Sequence, residues 1–138
     1  MRESAIGYFA EIARILKGDM APVINVVLDE ILNSIKSDKG IKHEIEKKPK
    51  EAFSLDSDSE DEADLVGMDI DIAFIDEKSS AVHGLGNICL FCPSLVLPRM
   101  EEILNQLKDI SFYFHENIRY HVCMTYLQIA IGLERHFR

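Results

Sequence analysis

The chain has 138 residues, 47% of them hydrophobic, a formal net charge of −9 and three cysteines. That length supports one domain with a real core, and three cysteines are too few and too odd a set for a disulfide scaffold. The ten acids between Asp56 and Glu77 have no base among them, while the rest carries 15 bases against 14 acids (24 − 10); phosphate binding needs clustered Lys and Arg, so direct nucleic acid is disfavoured and basic proteins are favoured. No apolar run approaches the ~18 residues of a membrane span, and Met1-Arg2-Glu3 does not open a signal peptide, so no membrane is expected and an intracellular, soluble chain is.

In chain order, the first expected helix covers about 2–17, with Ala5, Phe9, Ile12 and Leu16 spaced as one apolar stripe. A second covers about 21–36. Pro22 stands at its start, where a missing N–H costs nothing, and Ile24, Val27, Leu28 and Ile31 follow at helical spacing. After an interruption, helices are expected over about 76–92, 97–110 and 116–136, the middle one led by Pro98.

These helices repeat. Lys78–Cys89 aligns with Arg119–Ala130 at an offset of 41 residues (119 − 78), and Arg2–Ala13 aligns with Lys78–Cys89 at 76 (78 − 2). The matched columns are Ala5/Ala81/Val122, Phe9/Leu85/Tyr126, Ile12/Ile88/Ile129 and Leu16/Cys92/Leu133, with a basic residue opening each block. The shift of 76 also pairs Pro22 with Pro98, Val27 with Ile103 and Ile31 with Leu107. The excess of 35 (76 − 41) is the size of one insertion within one unit.

A period of about 40–47 residues built from paired antiparallel helices is that of HEAT repeats. The expected fold is therefore all-α, a HEAT-repeat α-solenoid fragment of about two and a half helix pairs, in the order inner, outer, inner, outer, inner. Residues 1–138 form a single segment, with an insertion at 37–74. Neither end helix has a polar cap, so the chain is expected to be a piece of a longer array. A polar column, Glu11, Asn87 and Gln128, lies opposite the apolar stripe and is expected to face the groove of the inner helices.

The insertion begins with a lysine-rich stretch, Lys39 to Lys50, broken by Gly40 and Pro49. It continues through Asp56, Asp58, Glu60, Asp61, Glu62 and Asp64, too polar to offset the entropy of ordering. This run reads either as an electrostatic lure for a Lys/Arg-rich partner or as a solvated loop that aids solubility. Ser57 and Ser59, each followed three residues later by Glu, would deepen the field if phosphorylated.

No catalytic constellation is expected. Cys89-Leu-Phe-Cys92 has the spacing of a redox or zinc pair but closes a helix rather than opening one, and it aligns with the apolar positions Ala13/Ala130 and Leu16/Leu133. No second pair exists for zinc. Gly84-Leu-Gly86 lacks the strand and third glycine of a phosphate loop and reads as close helix packing. His83, His115, His121 and His136 are scattered. No cofactor, no metal and no enzymatic activity are expected.

The stretch Asp76-Glu-Lys-Ser-Ser-Ala-Val-His-Gly-Leu-Gly-Asn-Ile88, directly after the acidic insertion, resembles the importin-β (karyopherin-β) superfamily of nuclear transport receptors, and Tyr113–Val122 with Arg119 strengthens the likeness. The match is nearest to the branch that carries ribosomal proteins and histones. The resemblance implies a receptor shuttling between cytoplasm and nucleus, with inner helices that wrap basic cargo and the GTPase Ran and outer helices that meet Phe-Gly nucleoporins. An acidic loop inside a central repeat is a family feature, matched in position by Asp56–Asp64, and this favours the lure reading. The competing reading is a HEAT scaffold subunit of phosphatase or chromatin-complex type, without transport activity.

Overall fold

A computed structural model describes residues 2–38, 41–43, 68–70 and 72–138, with side chains from Ala5 to Asp38 and from Ile72 onward. Five principal helices are present: α1 (Arg2–Leu16), α2 (Ile24–Lys36), α3 (Ile72–Phe91), α5 (Met100–Asp109) and α6 (Glu116–Phe137), with a single turn, α4 (Pro93–Val96), after α3. The chain folds as the all-α, HEAT-like arrangement its periodicity predicts. Helices α1, α3 and α6 lie side by side with α3 in the middle, and α2 packs on both α3 and α5. The alternate helices thus form two layers, inner (α1, α3, α6) and outer (α2, α5).

The core lies between the layers. Val27, Leu28, Ile31, Leu32 and Ile35 of α2 meet Ala81, Val82, Leu85 and Ile88 of α3, with Ile103 and Leu107 from α5 and Ile118, Val122 and Ile129 from α6. Each such aliphatic side chain contributes about 1.5–3 kcal/mol relative to exposure.

Helix α3 is buried almost all round because it has neighbours on both sides as well as above. Its apolar circumference follows from that position and is not a membrane signal; no single helix among the described residues is long and apolar enough to cross a bilayer.

The repeat columns are filled unequally. In α3 the four expected core positions, Ala81, Leu85, Ile88 and Cys92, are all buried, whereas in α1 Ala5, Phe9 and Leu16 are exposed and Ile6, Ala10 and Ala13 are buried instead. A helix touched on one side turns only that side inward, which rotates the buried face away from the shared column.

Two helix boundaries move for local reasons. The outer helices start at Ile24 and Met100 rather than at 21 and 97, because Pro22 and Pro98 sit in the turns that lead into them, the second a 3₁₀ turn at Leu97–Arg99. Helix α3 starts at Ile72, within the expected insertion, since buried Ile75 extends the apolar stripe one turn upstream. Also within 37–74, β1 (Ile41–His43) pairs antiparallel with β2 (Met68–Ile70), Ile41 opposite Ile70.

Candidate binding face

The helices of the inner layer are held close by small residues. A Cβ on Gly84 would lie 2.8 Å from Ile6 Cγ2, one on Gly86 would collide with Gln128 Oε1, and one on Gly132 would collide with the carbonyl oxygen of Cys89. Gly84 therefore seats α3 against α1, and Gly86 with Gly132 seats α3 against α6, as the packing reading of Gly84-Leu-Gly86 requires. The cysteine pair belongs to the same seams. Cys89 is fully buried, and Cys92 shares its S–H between the carbonyls of Ala13 (3.5 Å) and Lys17 (3.4 Å), where α1 passes into the turn that follows it. Burial, with some repulsion from Cys92, pushes the Cys89 thiol up to about 12. Burial also raises the Cys92 thiol, partly offset by Lys17. Neither is placed for thiolate chemistry.

In the second and third blocks the opening basic residue is a brace. Lys78 is 1% exposed and donates to the Ser37 carbonyl (2.9 Å) and to Asp38 Oδ1 (3.2 Å). Its ammonium lies 4.5 Å from the centre of the Tyr113 ring and 5.2 Å from that of Phe74. It thus ties the end of α2, the start of α3 and the α5–α6 turn at one point. Burial lowers its pKa, and the hydrogen bond and charge of Asp38 act the other way. Arg119, one column on, donates to the carbonyls of Tyr113 (2.7 Å) and Phe114 (2.8 Å) in the turn before α6. Both bases reach back to the loop preceding their own helix.

The open face of the inner layer is polar. Gln128 of α6 donates to Asn87 Oδ1 of α3 at 2.9 Å, and the Asn87 amide nitrogen lies 3.3 Å from His83 Nε2. His83 in turn meets His121 of α6, ring centres 5.3 Å apart. Toward the N-terminal ends of α3 and α6, a cleft of about 260 Å³ opens between Gly7 of α1, Asp76, Ser80 and His83 of α3, and Asn117 and His121 of α6. The Ser79 hydroxyl beside it is buried without a hydrogen-bond partner. Burial, then the neighbouring His83, lowers the pKa of His121.

Of the expected groove residues, Asn87 and Gln128 are brought together, while Glu11 is exposed on α1 and pairs with Arg14 at 3.1 Å. The acidic run Asp56, Asp58, Glu60, Asp61, Glu62 and Asp64 lies outside the described residues. The cleft itself was missed by residue-type reasoning, although its signal is in the register: Asp76 with Asn117, and Ser80 with His121, are 41 residues apart. Among the described residues, no group of three or more His, Cys, Asp or Glu is disposed around a common metal position.

No protein-family model matches the sequence. The chain is 27% identical over 128 residues to a protein of Schizosaccharomyces pombe described as probable importin subunit beta-4, a match covering 86% of this chain and 12% of that protein. The match to an importin β subunit is distant, and the chain spans only 12% of that protein's length.

Proposed function

We propose that this chain is a protein-binding segment of a nuclear import receptor, recognising basic cargo such as ribosomal proteins or histones through its inner helices and the acidic run Asp56–Asp64. The observation that carries the reading is the polar face of α1, α3 and α6, in which Asn87, Gln128, His83 and Asp76 are held at the surface of a rigid apolar layer. A preformed polar face can meet a flexible basic segment without reorganising, and a run of carboxylates in the same chain raises the encounter rate of a cationic partner. Ran would engage the same inner face, Phe-Gly nucleoporins the outer one, and the receptor would move between cytoplasm and nucleus. The distant likeness to an importin β subunit supports this reading over a static scaffold.

The charge test is direct. Replacing Asp58, Glu60, Asp61 and Glu62 by Asn or Gln is expected to weaken binding of a histone-tail peptide several-fold and to flatten its salt dependence, with helicity unchanged by circular dichroism. Equal affinity in parent and variant would reduce the run to a solubility device. In the full-length protein, Ran-GTP is expected to release bound cargo. Indifference to Ran-GTP favours the scaffold.

A further inference from the structure

We propose that the cleft bounded by Asp76, His83 and His121 is a subsite for an arginine side chain of the basic partner, occupied while both imidazoles are neutral and vacated when they are protonated. This rests on the cargo-binding reading and gives it a position and a control.

The cleft is a cation site by its chemistry. Asp76 is exposed at its rim and supplies the single formal charge of its lining. The amide of Asn117 and the hydroxyl of Ser80 also line it, beside the tilted pair of imidazole rings. A flat guanidinium, with five donors and a face that stacks on aromatic rings, matches a carboxylate beside neutral rings better than a compact ammonium does.

The protonation state of His83 follows from the direction of the hydrogen bonds. Gln128 donates to Asn87 Oδ1, which leaves the Asn87 amide N–H groups directed at His83 Nε2. An N–H needs an acceptor, so His83 Nε2 carries a lone pair and the ring is neutral in this arrangement. Protonating His83 sets two donors against each other, and the relay from Gln128 to Asn87 must turn over to accommodate it. A proton on His121 would add a second positive charge 5.3 Å from His83 by ring centres.

Among the described residues, the groups facing the pair are few. From α3 they are Asp76 and Asn87, from α6 Asn117 and the Tyr120 ring, which packs on His121 at 5.3 Å, and from α1 Gly7, which carries no titratable side chain. Burial already holds His121 toward its neutral form, and a bound guanidinium acts in the same direction. Affinity is therefore full while His121 is neutral and falls only as pH drops below the usual imidazole range, because burial and His83 oppose a proton on His121.

The test titrates the 138-residue chain with a short Arg-rich peptide by calorimetry between pH 7.5 and 5.5, a window in which neither Arg nor ordinary carboxylates change charge. The expected result is an affinity loss of about tenfold across that window in the parent. Asp76→Asn is expected to weaken binding about fivefold at pH 7.5, and a peptide with Lys for Arg to bind less tightly. The double variant His83→Gln, His121→Gln, which removes both rings the guanidinium would stack on, is expected to weaken binding several-fold at pH 7.5 and to abolish the pH dependence. Circular dichroism checks that each variant keeps its helicity. If no basic peptide binds the parent, the cargo reading falls and this subsite with it. If peptide binds but neither Asp76→Asn nor the histidine pair alters affinity or pH profile, the subsite falls and the cargo reading stands.

Discussion

The two seams of α3 are built from similar small residues but fail differently when crowded. Against α1, Gly84 meets the Cγ2 methyl of Ile6, held on a β-branched carbon whose χ1 the helix restricts. Against α6, Gly132 meets backbone, the carbonyl of Cys89, and Gly86 meets the head of Gln128, which is held by Asn87. The first seam is apolar. The second is closer, polar on its open side, and carries the histidine pair. The difference teaches that the proposed binding face lies along the closer seam, where small residues keep Asn87, Gln128, His83 and His121 in register across two helices.

The largest expected effect sharpens that contrast through the thiols. Each buried cysteine serves one seam, Cys89 beside Gly132 and Cys92 at the end of α1, whereas Cys123 is exposed. With its thiol pushed from 9.0 to about 12, Cys89 has a thiolate fraction lower by about a thousandfold. Iodoacetamide at pH 8 followed by peptide mass spectrometry is expected to label Cys123 and to leave Cys89 and Cys92 unmodified until denaturant is added. Rapid native labelling of Cys89 would mean that the α6 seam opens.

Next in size are the glycines. Gly132→Ala is expected to cost about 2–3 kcal/mol, because the clash is with backbone and exceeds the ~1 kcal/mol that alanine gains in a helix. Gly84→Ala is expected to cost less, about 1 kcal/mol, since the clash is with one side-chain methyl of Ile6 rather than with backbone, although that methyl is fixed by a restricted χ1. Urea unfolding measures both. Equal costs would erase the distinction between the seams.

The buried brace comes third. Lys78→Ala leaves the Ser37 carbonyl without its donor and empties the space between Tyr113 and Phe74, at an expected cost of about 2 kcal/mol. Arg119→Ala, at the equivalent but exposed position, is expected to cost less than half as much. The smallest effect tests the polar side of the α6 seam. Asn87→Ala and Gln128→Ala are each expected to cost about 1 kcal/mol, and the double variant no more than about 1.5, because one hydrogen bond is shared.

Much of the fold was legible in the residues. The offsets of 41 and 76 located all five principal helices because each repeat must present the same stripe to the same layer, and Val27/Ile103 and Ile31/Leu107 are buried in both outer helices. What the columns could not convey was which side of each inner helix has a neighbour. Ala5, Phe9 and Leu16 match buried positions of α3 yet are exposed on α1. The β1–β2 pair escaped because three-residue strands carry no periodicity. The Asn87–Gln128 contact was legible as a polar column. The cleft was not, because Asp76, His83 and His121 read singly as solvated surface, and only stacking of α3 on α6 brings them together.

Backbone amide chemical-shift mapping with a histone-tail peptide on the 138-residue chain tests the central claim, that the open face of the inner layer receives the basic partner. The account predicts the largest perturbations at His83, Asn87, His121 and Gln128. Perturbations confined to the outer face, at Val23, Val26 and Leu104, would contradict it.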